Sequence, residues 1–216
     1  MIRILGICCL CIIAFIACQK TNDQNLLLSG YISDHRNGSG VGDVYLTLSE
    51  QVVEGGSLNS DFEVADEVLS SSNGAYNMLF GRRNALTYRL DLEKPGYFDK
   101  RVELNPDDFR PNQPVTQNVT MITEAVFAVQ LVNEVPYDSN DEIRFRKLNA
   151  DFTCMCCNND WVEVQGVDVD TSFSCKLYGD YYLKYQYQIS KGELDTTIVD
   201  STYCPAFQTT SILINY

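Results

Sequence analysis

Apolar and polar residues alternate in short runs along most of this chain. Leu28, Gly30 and Ile32 share one phase, followed by Val44, Leu46 and Leu48, then Tyr76, Met78 and Phe80, then Tyr88, Leu90 and Leu92. Val102 with Leu104, and Val115 with Val119, continue the pattern. A period of two marks strands with one buried face. Residues 26–122 are therefore expected to form a first module of antiparallel strands. The punctuation agrees: Asn37-Gly38 with Gly40 makes a turn, Asn73-Gly74 a tight hairpin and Pro95-Gly96 a further break. Residues 50–69 fit either a long loop or a strand followed by a short helix.

A second module is expected over 125–216. Phe127, Val129 and Leu131 alternate with small or polar residues, and Ile143 and Phe145 with Arg144 and Arg146. Val167, Val169, Thr171, Phe173 and Cys175 form one inward row against Asp168, Asp170, Ser172, Ser174 and Lys176. Tyr181, Leu183, Tyr185, Tyr187 and Ile189 form the next, and Lys191-Gly192 turns the chain. Six or seven short strands at this spacing predict a second sandwich of immunoglobulin-like type. The predicted fold class is all-β: two antiparallel β-sandwich modules in tandem.

The start of the chain has a different texture. After Arg3, residues 4–17 carry no charge and no proline. The run is shorter than the roughly 20 residues that a membrane span needs, and it fits the apolar core of a secretory signal. It ends abruptly at Ala17-Cys18, and the polar run QKTNDQN follows. Phe15-Ile16-Ala17-Cys18 resembles the lipobox of bacterial lipoproteins. The resemblance implies a signal peptide over 1–17, cleavage before Cys18, diacylglycerol on the Cys18 sulfur and a tether over 18–25. It places the protein in a bacterial cell envelope as an outer-membrane lipoprotein, facing either the periplasm or the cell surface. A single acyl chain holds a protein weakly, and two or more hold it firmly.

Charge limits the partners. The 216 residues carry 16 Lys and Arg against 29 Asp and Glu, a net −13. No basic patch is available to neutralise phosphates, so nucleic acid is not an expected partner. An acidic surface is repelled by anionic headgroups, so membrane contact is expected through the lipid alone. Hydrophobic residues at 45% suffice to fill real cores.

Within the first module, four stretches occur in a set order: Gly30-Tyr31-Ile32, the run from Val41 to Leu48, Asn73-Gly74-Ala75-Tyr76, and Lys94-Pro95-Gly96-Tyr97. This resembles the carboxypeptidase regulatory-like domain, a small transthyretin-like β-sandwich. Ser71-Ser72 stands where that family usually has threonine-aspartate before the hairpin. The resemblance implies a fold and no catalytic residues, because the domain accompanies some peptidases without carrying their chemistry.

No catalytic set, metal site or cofactor is expected. A zinc peptidase needs histidine and carboxylate ligands, and the one histidine, His35, sits in the turn DHRNGSG, where it reads as a solvated residue. Beyond Cys18 and the leader, Cys154, Cys156, Cys157, Cys175 and Cys204 remain. An oxidising compartment favours disulfides, and an odd number leaves one thiol over. Cys175, inward on its strand, is expected to bridge either to Cys204 or to the 154–157 cluster. Asp168-Asp170 and Asp138 through Asp141-Glu142 read as solvated faces, since calcium wants six to eight oxygens in a loop that this spacing does not supply. Asp195-Thr196-Thr197 and Asp200-Ser201-Thr202 resemble a bacterial O-glycosylation tripeptide. Trp161, Tyr178 and Tyr182 are the candidate aromatics for a ligand surface, because exposed rings stack on sugars and peptides.

Three functions fit this sequence. The first is a lipid-anchored, non-catalytic envelope protein that binds or scaffolds, with a glycan or an envelope protein as partner. The second is an accessory subunit of an outer-membrane uptake or assembly complex. The third is a hydrolase working with carboxylates alone, which would need two acids facing each other across a cleft.

Overall fold

The structure, a computed structural model, describes residues 25–58, 60–150 and 157–216. The lipobox with Cys18, and the cysteines Cys154 and Cys156, lie outside the described residues. The described residues are built from strands, with one short 3-10 helix among them, Pro106–Asp108, capped by the Asn105 side chain.

The first sandwich has two sheets. In one, β1 (Asn25–Asp34) pairs antiparallel with β5 (Ala75–Gly81) on one side. On the other side it pairs parallel with β8 (Val115–Thr116) and β9 (Val119–Met121). In the other sheet, β2 (Tyr45–Glu54) lies between β6 (Ala85–Glu93) and the strands β3 (Ser57–Leu58) and β4 (Glu63–Leu69), and β7 (Lys100–Leu104) flanks β6. The alternating residues meet between the sheets. Leu28, Ile32, Leu46, Leu48, Met78, Leu90, Leu92 and Met121 are fully buried there, and Phe80, Tyr88 and Phe109 pack edge to face in the same core.

The second sandwich follows two residues later. β10 (Glu124–Val132) lies between β13 (Asp170–Tyr178), antiparallel, and β16 (Thr209–Asn215), parallel. Facing it is the sheet β12-β11-β14-β15: β11 (Glu142–Lys147), β12 (Val162–Gln165), β14 (Tyr181–Lys191) and β15 (Leu194–Cys204). Phe145 stacks with both Phe127 and Tyr185 inside a separate core with Leu131, Ile143, Leu177 and Leu183.

Four expectations change. One sheet of each sandwich is mixed, because β1 and β10 each take a parallel neighbour, while the facing sheets around β2 and β11 are antiparallel throughout as expected. Residues 50–69 form neither a long loop nor a helix: β2 runs on to Glu54, turns at Gly55-Gly56 and returns as β3 and β4. Asn73-Gly74 is a tight turn but not a hairpin, since β4 and β5 belong to different sheets. The inward row begins at Val169, just before β13. Val167 is exposed beside the turn at Gly166, whose φ is +126°.

Strand direction gives the molecule two ends. Asn25 pairs with Gly81 at one end of the first sandwich, and Asp34 pairs with Met121 at the other. A ten-residue strand spans about 33 Å, so β1 carries the chain from one end of the first sandwich to the junction end. β10 then starts at the junction and runs away from it, to where Val132 pairs with Asp170 and Asn215.

Gly30 shows why one strand position needs glycine. A Cβ there would lie 1.9 Å from the Gln117 carbonyl oxygen, which also accepts from the buried Tyr76 hydroxyl at 2.7 Å. Close backbone approach is a recurring reason for glycine within a strand. Gly30→Ala is expected to destabilise the protein by about 3 kcal/mol or more, as overpacking against fixed backbone does. Urea unfolding of the two forms measures it.

Candidate functional surface

Ile122 and Thr123 are all that lies between β9 and β10, and both sandwiches hold them. Phe98 N–H donates to Ile122 O at 2.9 Å and Glu124 N–H to Gly96 O at 2.8 Å. From the second sandwich, Gly179 N–H donates to Thr123 O at 2.8 Å and Phe207 N–H to Glu124 O at 2.7 Å. Space here is tight: a Cβ on Gly179 would lie 2.6 Å from both Thr123 and Ala206.

Arg36 crosses the junction. Its guanidinium donates through Nε and Nη2 to Asp34 at 3.0 and 2.8 Å, and through Nη1 to Asp180 of the second sandwich at 3.2 Å. Its plane lies 5.0 Å from the Phe207 ring, which meets Tyr97 edge to face. Asp34 is buried and accepts in addition from the Arg36 N–H and the Tyr97 hydroxyl. These donors, Arg36 first, hold its carboxyl down to about 2. Asp180 accepts from Ala206 N–H and Tyr203 O–H, and these bonds together with Arg36 lower its pKa too.

His35 is not simply solvated. Its Nδ1 accepts from the Thr123 N–H at 3.4 Å, so the turn DHRNGSG places consecutive residues on the junction. The alternation pattern could not find this set, because Asp34 and Arg36 end a strand and enter a turn. The available signal was an acid and an arginine two residues apart at a strand end.

Beside the junction lies an open groove of about 630 Å³ lined by Tyr45, Glu93, Lys94, Gly96, Asp99 and Glu124 among others. A second hollow of about 380 Å³ shares Glu93 and Asp99 and adds Arg89, Asp91, Lys100 and Arg101. Charges of both signs meet here: Lys176 pairs with Glu124, and Asp91 accepts from both Arg89 and Arg101. Such a surface can hold a polar ligand by hydrogen bonds and stacking. Asp91 and Glu124, engaged in ion pairs, are poor candidates for acid–base work.

The candidate aromatics are dispersed. Tyr182 is 65% exposed, and its ring lies 4.9 Å from that of Tyr203 near the junction. Tyr178 is half-buried and meets Phe98 of the first sandwich edge to face. Trp161 lies beneath the guanidinium groups of Arg144 and Arg146, at 5.0 and 4.4 Å. The three do not form one platform.

Of the cysteines, Cys157 and Cys175 are joined, closing a loop of sequence separation 18 across to β13. Cys204, one of the two partners expected for Cys175, is instead a buried free thiol whose pKa burial pushes up. It sits at the inner end of β15, opposite Tyr181. Asp168 and Asp170 are exposed as expected, but Asp141 is wholly buried. Its carboxylate accepts from Asn133 Nδ2 and from the N–H groups of Tyr137 and Asp138, which shape the loop after β10. Among the described residues no group of three or more His, Cys, Asp or Glu could hold a metal ion, and no helix is long and apolar enough to cross a membrane.

The fold and this junction define an all-β protein of two joined sandwiches. No protein-family model and no curated protein matches the sequence. Among solved structures, the Bacillus anthracis TIE protein aligns at a TM-score of 0.38 and 11% identity, over 88% of this chain and 34% of that one. A streptococcal ancillary pilin aligns at 0.36 and 15%, over 90% and 63%. The shaft pilin SpaA of Lactobacillus rhamnosus GG aligns at 0.31 and 12%, over 89% and 97%. The chain spans about a third of the TIE protein and under two thirds of the ancillary pilin. At these scores the similarity carries no argument about function.

Two outcomes follow from this geometry. Asp34, with its pKa lowered in the folded state, stabilises the fold above the ordinary carboxyl range, and the contribution is lost as pH falls from about 4 towards 2. Asp34→Asn should therefore cost about 2 kcal/mol at neutral pH, and the gap to wild type should close in acid, as read by unfolding at pH 7 and pH 2.5. Cys175→Ala should cost about 3 kcal/mol by opening the loop to Cys157, and reducing agent should destabilise wild type but not the variant.

Proposed function

We propose that this protein is a lipid-anchored, non-catalytic outer-membrane lipoprotein whose two sandwiches act as a stiff binding or scaffolding arm. The observation that carries this reading is the junction. A two-residue connection held by four backbone hydrogen bonds, with Arg36 bound to acids of both sandwiches, suits a spacer that keeps its two parts in one relation. Strand direction supports it. The chain enters β1 at the end away from the junction, so a lipid on Cys18 would hold the first sandwich near the membrane and project the second outward. The first sandwich is read as a carboxypeptidase regulatory-like domain. The close approach at Gly30 and the turn at Gly74, with φ +89°, give physical reasons for two of its motifs. The mixed-charge groove suits a glycan or an envelope protein as ligand.

A second reading, an accessory subunit of an outer-membrane complex, draws on the far end. There Val135 and Tyr137 stand 72% and 71% exposed in the loop after β10, placed to meet a partner protein.

Metabolic labelling with palmitate tests the anchor. Wild type should incorporate label and fractionate with membranes, and Cys18→Ala should do neither. An unlabelled wild-type protein would overturn the reading. Protease added to whole cells then assigns the side, by clipping the sandwiches only if they face outward. For the arm, Arg36→Ala should broaden the distance distribution between spin labels placed one in each sandwich, with both sandwiches still folded. An unchanged distribution would show that Arg36 does not stiffen the junction.

A further inference from the structure

At the far end of the second sandwich three side chains meet in a chemically specific order. Asn133 follows β10, Lys191 ends β14 in the facing sheet, and Asp141 precedes β11. Lys191 Nζ lies 2.8 Å from Asn133 Oδ1. The carboxamide carbon is one bond further on, so the amine is held at the carbonyl that it would attack. On the other side of the same carboxamide, Asn133 Nδ2 donates to Asp141 Oδ2 at 2.9 Å and to Gly166 O at 2.9 Å. Asn133 is 7% exposed and Asp141 wholly buried. The Tyr216 ring covers Lys191 Nζ at 5.4 Å, and its buried hydroxyl has no hydrogen-bond partner. An amine, an amide and a carboxylate are thus lined up, with the carboxylate on the nitrogen that would leave.

We propose that Lys191 and Asn133 condense to an amide that staples the two sheets of the second sandwich. Nζ loses its ammonium proton and forms a bond to Asn133 Cγ, and the Cγ–Nδ2 bond breaks. Asp141 receives the proton that the attacking nitrogen sheds and returns it to Nδ2, which departs as ammonia and takes up the proton first lost. Lysine ammonium and carboxamide become secondary amide and ammonium ion. Charge and atoms balance, and nothing is oxidised or reduced. The bond joins residues 58 apart in sequence, where each sheet would otherwise fray at its end.

Peptide mass spectrometry of the membrane-extracted protein, digested after denaturation, reads the bond directly. The expected product is a branched peptide joining the Asn133 and Lys191 segments, lighter than the two by one ammonia. Lys191→Arg keeps the positive charge and a donor but cannot form the bond, so the branched peptide should vanish and the melting midpoint fall. Asp141→Asn should leave the two segments unjoined. Should Asp141→Asn fail to fold, Lys191→Arg with Asn133→Ala carries the test. Separate, unmodified Asn133 and Lys191 peptides from folded wild type would overturn the proposal. So would an ammonia deficit that survives in Lys191→Arg, which would place the loss elsewhere.

Discussion

One charged group decides how the two halves of this molecule relate. Asp34 is taken out of water at the end of β1, where an unpaired carboxylate would cost several kcal/mol. Its donors are Arg36, its own turn and Tyr97, and the same Arg36 reaches across the junction to Asp180 and Phe207. The group that satisfies a buried acid in one sandwich is thereby also bonded to the other. The backbone follows the same logic. With Ile122 and Thr123 as the whole connection, the N–H groups of Gly179 and Phe207 find their acceptors on Thr123 and Glu124. Glycine at 179 and 96 keeps side chains out of the gap.

A junction of this kind changes what the surfaces beside it can do. A groove between freely moving units has no fixed shape, whereas this one keeps Tyr45 and Glu93 of the first sandwich in a set relation to Glu124 and Lys176 of the second. Preorganisation of this sort lowers the entropy that a ligand must overcome on binding.

The strands were legible because period-two burial is a strong constraint. A shift of one residue turns a strand inside out, and Tyr88-Leu90-Leu92 or Leu183-Tyr185 leave little choice. What escaped the pattern was everything set by sheet assignment. Asn73-Gly74 has hairpin chemistry, but its strands join different sheets. Glu63–Leu69 was ambiguous because β4 has no fully buried residue to show its phase. The surface was harder still. Asp34, Arg36 and Asp180 are ordinary turn residues by type, and only the folded chain brings positions 144 apart together. Cys175 was legible as inward, yet its partner depended on loop placement that no spacing rule encodes.

β1 has one more consequence. It begins at the end of the first sandwich away from the junction, ends at the junction, and is bonded on both sides, to β5 and to β8 and β9. Its hydrogen bonds run across the strand axis, antiparallel on one flank and slanted on the parallel flank. A pull between a fixed start and the second sandwich would therefore load those bonds in shear. Under that load the bonds must give way together, not one at a time from an end. The strand that runs from the start of the fold to the junction is also the one best placed to resist being drawn out.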